Sequence, residues 1–130
     1  SMARVLTAND YEMRVIEERT GKRVEELAEG LEAVIETRGA EGSILYHEGQ
    51  KITIKPVPAV AIEDPTGCGD SHRAGVLYGL ASGWSWEDNA RLGNVMGSIK
   101  IASDGPQNHR PSLNDIQRIF IDNYDSNPWA

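Results

Sequence analysis

The sequence predicts an α/β fold in which strands come early and helices late, and three observations predict it. The stretch "SILYHEGQKITIK", Ser43 to Lys55, alternates apolar and polar residues on both sides of a Glu-Gly-Gln turn, as a β-hairpin requires. From Asp70 onward apolar residues recur instead at helical spacing, in three successive segments. No internal repeat and no long linker separates the two regimes. The 130 residues, 39% of them hydrophobic, are therefore read as one soluble domain or a piece of a larger one.

Each element has its own local warrant. Arg4 to Thr7 reads as a short strand running into "NDYE", where Asn9 caps a helix and Glu12, three residues on, completes a capping box. That helix ends near Thr20-Gly21. A short helix follows at Val24 to Glu29 with Gly30 as its stop, and "LEAVIET" is a strand leading into the turn "RGAEG". After the hairpin, Pro56 and Pro58 flank an extended run, Val57 to Ile62. The next helix spans Asp70 to about Ser82, with Ala74, Leu77, Tyr78 and Ala81 as its apolar face, and Gly83 ends it. Ser85 and Asp88 open another helix, whose stripe is Trp86, Ala90, Val95, Ile99 and Ala102, as far as Gly105. Ser112 and Asp115 repeat the start signal for a last helix with Leu113, Ile116 and Phe120 inside. Ser1-Met2 reads as a cloning remnant and 123–130 as a C-terminal tail.

Composition excludes several classes. A net charge of -7 and a pI near 4.9 oppose a nucleic-acid-binding surface, because phosphates would be repelled by most of the exterior. No apolar run approaches the roughly 20 residues that span a bilayer, and a signal peptide's charged and apolar regions are missing, so no membrane partner and a cytoplasmic location are expected. Cys68 is the single cysteine, so an internal disulfide is impossible and a thiolate zinc cluster cannot form.

The chemistry concentrates in "EDPTGCGDSHRAG", Glu63 to Gly75. A helix start presents free backbone N–H groups and about half a positive charge, and so attracts anions without a basic side chain. Gly67, Cys68 and Gly69 let those groups converge on something the size of a phosphate. Asp70, a carboxylate beside that site, suits a base that takes a proton from an incoming hydroxyl. Two other readings stand at this point. Asp70 is a helix cap and the glycines only make its turn, or Cys68 is a nucleophile activated by the helix start with His72 nearby. The common nucleotide motifs are absent: there is no G-x-x-x-x-G-K-[ST], and His72 occupies the third glycine position of G-x-G-x-x-G.

"DPTGCGDSHRAGVLYGL" resembles the C-terminal signature of the ribokinase-like carbohydrate and nucleoside kinases, the PfkB family. "NDYE" is similar to the family's N-x-x-E element and "TRGAEG" to its T-x-G-x-x-G element, while Asn94 falls on the helix where the family contacts the nucleotide. The resemblance runs from about Arg4 to Phe120 and covers only the C-terminal half of a family whose members are roughly twice this length. It implies a three-layer α/β/α, Rossmann-like domain with a β-hairpin, of which residues 3–122 are the ATP-binding and catalytic portion. Asp70 would be the base, with the N–H groups of Gly67, Cys68 and Gly69 as the anion hole for the γ-phosphate. Asn9 and Glu12 would position Mg²⁺, partly through water; Thr37, Gly39 and Gly42 would hold the triphosphate; Asn94 would border the adenine. Asp64 and Thr66 match positions that hold K⁺ in cation-activated relatives.

From the residues alone, Asn9 and Glu12 are equally a capping box, Thr37 to Gly42 a β-turn, and Asn94 a solvated helix residue. The resemblance therefore implies ATP-dependent phosphorylation of a sugar or nucleoside hydroxyl, and "GPQNH" most resembles the bacterial adenosine or sugar kinases. The alternative is a nucleotide-binding or regulatory module without catalysis. A truncated sheet would expose an edge, which makes a homodimer an expected assembly. Two positions depart from the family pattern: Cys68, where alanine or another small residue is usual, and Arg38, where many relatives are apolar.

Overall fold

Four short strands, β1 (Val5–Asn9), β2 (Ala33–Thr37), β3 (Ser43–His47) and β4 (Gln50–Ile54), form one sheet in the order β1-β2-β3-β4 in a computed structural model of the chain. The structure describes residues 4–58, 68–102 and 112–130, with backbone alone at 40, 68, 69 and 100–102. It divides into two compact units, Ser1–Pro56 and Val57–Ala130.

In the first unit β1 and β2 run parallel, joined by helices α1 (Asp10–Thr20) and α2 (Val24–Glu29), while β2, β3 and β4 are antiparallel neighbours. The hairpin turns on Glu48 and Gly49, at φ 51° and 75°, the left-handed pair that matches the twist of its strands. β1 extends to Asn9, two residues beyond Thr7, where its sequence-predicted span ends. Period-2 alternation puts Ala8, Val34, Ile44 and Tyr46 on one face, against Met13 and Val24 of the helices, with Leu6, Ile16, Ala28 and Leu31 at the margin. The other face is buried too at Ile35, Leu45 and Ile54, which explains why β2 and β3 carry near-continuous apolar runs.

In the second unit α3 (Cys68–Ala81) packs on α4 (Trp86–Ala102), and α5 (Leu113–Tyr124) closes a core of Leu92, Val95 and Phe120. Trp84, Phe120, Tyr124 and Trp129 meet edge to face, with centroids 4.7 to 5.4 Å apart for Trp84–Trp129, Phe120–Trp129 and Phe120–Tyr124. Tyr124 and Trp129 thus hold residues of the sequence-predicted tail against the helical core.

Two packing expectations are corrected. The apolar face of α3 assigned from spacing is its exposed one: Leu77 is 58% and Tyr78 45% exposed, and Ala74 and Ala81 are also exposed. The buried face is His72, Gly75, Val76 and Gly79. A Cβ on Gly75 would lie 2.8 Å from the Leu92 carbonyl oxygen and 2.9 Å from Gly93 Cα. Backbone-to-backbone approach therefore selects this face over the more hydrophobic one. Leu113, expected inside, is 52% exposed, because it opens α5 ahead of the buried turn that carries Ile116 and Phe120. The extended run beyond Pro58 lies outside the described residues.

Candidate active site

The first unit gathers the residues expected to meet phosphate and metal at one edge of the sheet. Register pairs Asn9, the last residue of β1, with Thr37, the last of β2. Both therefore lie at the carboxyl ends of parallel strands, where open α/β sheets bind ligands. Asn9 Oδ1 accepts from the Glu12 N–H at 2.7 Å and Glu12 Oε1 accepts from the Asn9 N–H at 3.0 Å, so the capping box is formed. The cap holds both side chains at this edge.

Beyond Thr37 the chain tightens into a 3₁₀ turn, Gly39–Glu41, closed by Arg38 N–H donating to the Gly42 carbonyl at 2.8 Å. Gly42 has φ 90°, and a Cβ there would lie 2.3 Å from the Ile54 carbonyl oxygen. Only glycine fits. The buried Glu36 carboxylate accepts from Arg38 Nε, and this hydrogen bond raises the arginine's pKa further.

The second unit presents Asp70. α3 begins at Cys68, two residues before the sequence-predicted start, so Cys68 and Gly69 lie in its first turn and their N–H groups belong to the four that a helix leaves without an internal partner. The Asp70 side chain is 87% exposed and accepts from Arg73 Nη1 at 3.1 Å, an exposed pair worth about 0–1 kcal/mol and easily opened. Gly67, with Asp64 and Thr66, lies outside the described residues.

Asn94 is not the solvated helix residue of the sequence-only reading. It is buried, and its carboxamide lies between His72 Nε2, which donates to Oδ1 at 3.1 Å, and the Tyr124 hydroxyl, which accepts from Nδ2 at 3.1 Å. The chain His72–Asn94–Tyr124 thereby ties α3 to α4 and α5. Burial pushes the His72 pKa down to about 4, with the Asn94 hydrogen bond opposing it. Among the described residues its Nδ1 is buried without a hydrogen-bond partner, as are both polar atoms of the Asn89 side chain. Sequence reasoning placed His72 beside Cys68 rather than against Asn94, and missed Asn89 and Tyr124. The available signal was Gly75 and Gly79 in line with His72, which marks a close helix contact.

The structure thus collects Asn9, Glu12, Thr37, Gly39 and Gly42 in one unit, and Cys68, Gly69, Asp70 and Asn94 in the other. The pfkB family carbohydrate kinase profile matches residues 1–113. The chain belongs to the pfkB family of carbohydrate kinases.

Its fold is ribokinase-like α/β with a mixed open sheet. The nucleoside kinase of Burkholderia thailandensis, solved in complex with inosine, matches at TM-score 0.89 and 37% identity, over 95% of this chain and 41% of that one. The nucleoside kinase of Methanocaldococcus jannaschii is 30% identical over 111 residues, 85% of this chain and 37% of the relative. Its structure, described as an archaeal member of the ribokinase family, matches at TM-score 0.83. The inositol 3-kinase of Zea mays is 41% identical over 88 residues, 67% of this chain and 23% of the relative. The chain therefore spans well under half the length of these relatives.

Proposed function

We propose that this chain is the C-terminal, catalytic portion of an ATP-dependent kinase that phosphorylates a hydroxyl of a sugar or nucleoside. The observation that carries the reading is Asp70, exposed in the first turn of a 14-residue helix in a pfkB-family chain. Asp70 takes the proton of the acceptor hydroxyl, and the oxygen so freed forms a bond to the γ-phosphorus. The bond from that phosphorus to the β-phosphate oxygen breaks, ADP leaves, and Asp70 passes its proton to solvent. The N–H groups of Gly67, Cys68 and Gly69 face the charge that develops on the γ-phosphate, a contribution on the order of 3 kcal/mol per donor elsewhere.

Thr37, Gly39 and Gly42 hold the triphosphate chain. Asn94 borders the adenine, with its carboxamide held by hydrogen bonds to His72 and Tyr124. Among the described residues no group of three His, Cys, Asp or Glu side chains stands ready to hold a metal. One carboxylate with an amide, Glu12 and Asn9, nevertheless fits Mg²⁺, which takes few protein ligands and completes its shell with waters and substrate phosphates. When bound, Mg²⁺ neutralises phosphate charge. Asp64 and Thr66 are assigned to K⁺ by the resemblance alone, and a rate indifferent to K⁺ would remove that role.

In the full-length enzyme, Asp70→Asn is expected to lower kcat by at least about a thousandfold while ADP affinity stays within about threefold. Normal turnover in that variant refutes the assignment. The second reading, a nucleotide-binding module without catalysis, is favoured for the 130 residues by themselves because they span 37% of the Methanocaldococcus relative.

A further inference from the structure

Glu36 is an unusual residue for its place. It lies in β2, paired with Ala8 on one side and Ile44 on the other, and is 5% exposed. Desolvating a carboxylate costs several kcal/mol, and a buried ion pair seldom repays more than that, so such a pair contributes little to net stability. What it does well is fix geometry. Among the described residues the cation bonded to Glu36 is Arg38, held through Nε, so one edge of the guanidinium is anchored inside the unit. The Nη groups make no hydrogen bond among the described residues, and the side chain is 41% exposed. Arg38 also follows Thr37 directly and caps the 3₁₀ turn, so this half-anchored fork stands at the carboxyl edge that Asn9 and Thr37 define.

We infer that Arg38 is a phosphate-binding residue of the nucleotide turn and that Glu36 is its positioning residue, aiming the free Nη edge at the phosphoryl oxygens of ADP or ATP. The inference rests on the kinase reading above. An arginine pre-aimed in this way loses less side-chain freedom on binding and matches two phosphoryl oxygens at once, which a lysine cannot do.

Binding of ADP and of adenosine to the full-length protein, measured by calorimetry with melting temperatures as a check on folding, tests it. Arg38→Lys is expected to weaken ADP about tenfold and to leave adenosine within twofold. Glu36→Val is the sharper variant. Removing a negative charge near a phosphate would by charge alone tighten ADP, whereas loss of the anchor weakens it, by about threefold or more, and Glu36→Gln restores most of that loss by keeping an acceptor for Nε. Unchanged or tighter ADP binding in Glu36→Val, or equal weakening of ADP and adenosine in Arg38→Lys, overturns the inference. An unsubstituted protein that binds neither ligand overturns the kinase reading, and this one with it.

Discussion

His72 stays neutral because its ring is enclosed where α3 crosses α4, with Gly93 so close that a Cβ there would come within 2.6 Å of the ring. The folded-state pKa, about 4, is below the ordinary 6.5 of an unfolded histidine, so below pH 6.5 the unfolded chain binds a proton that the folded chain refuses. Above pH 6.5 the residue contributes no pH dependence. Between 6.5 and about 4 it costs stability progressively, up to about 3 kcal/mol at the lower end. His72→Gln, which keeps a donor for Asn94 and does not titrate, is expected to flatten that part of the stability–pH curve. Urea melts at pH 7 and pH 4.5 check it, and an equal loss in both proteins shows the histidine to be uninvolved.

At the scale of elements, α3 and α4 show how small residues outcompete large ones. Glycine inside a helix normally costs about 0.5–1 kcal/mol relative to alanine, so an isolated helix would gain from Gly75→Ala. Here the added methyl meets the Leu92 carbonyl oxygen and Gly93 backbone, and the sign reverses: the variant is expected to lose about 1–3 kcal/mol. Denaturant melts decide between the two signs. The elements themselves were legible in advance wherever the signal was local: the Asn9–Glu12 and Ser112–Asp115 capping boxes both form, and the hairpin turns at Glu48-Gly49. The buried side of α3 was not legible, since helical periodicity identifies an apolar stripe and says nothing about a backbone close enough to exclude it.

At the scale of the whole molecule, the second unit has a core of its own, built from Leu92, Val95, Phe120 and the rings around them, and the first a sheet covered by α1 and α2. Among the described residues no helix is long and apolar enough to cross a membrane. The purified 130-residue chain is expected to bind ADP weakly at most and to show no phosphorylation of sugars or nucleosides, since it spans 41% of the Burkholderia nucleoside kinase. A coupled ADP-release assay with a panel of acceptors checks this, and turnover above the no-enzyme rate overturns it.

The amino-acid sequence by itself determined the family, the order of the elements and the position of Asp70 at a helix start, because caps, turns and short glycine motifs act over a few residues of chain. Only the tertiary structure decided that Asn94 is held between His72 and Tyr124, that α3 buries its glycines and leaves Leu77 and Tyr78 to solvent, and that a buried Glu36 holds Arg38 through Nε. Each of these depends on how closely two surfaces approach and how little water remains between them. Those quantities exist only once the chain has packed.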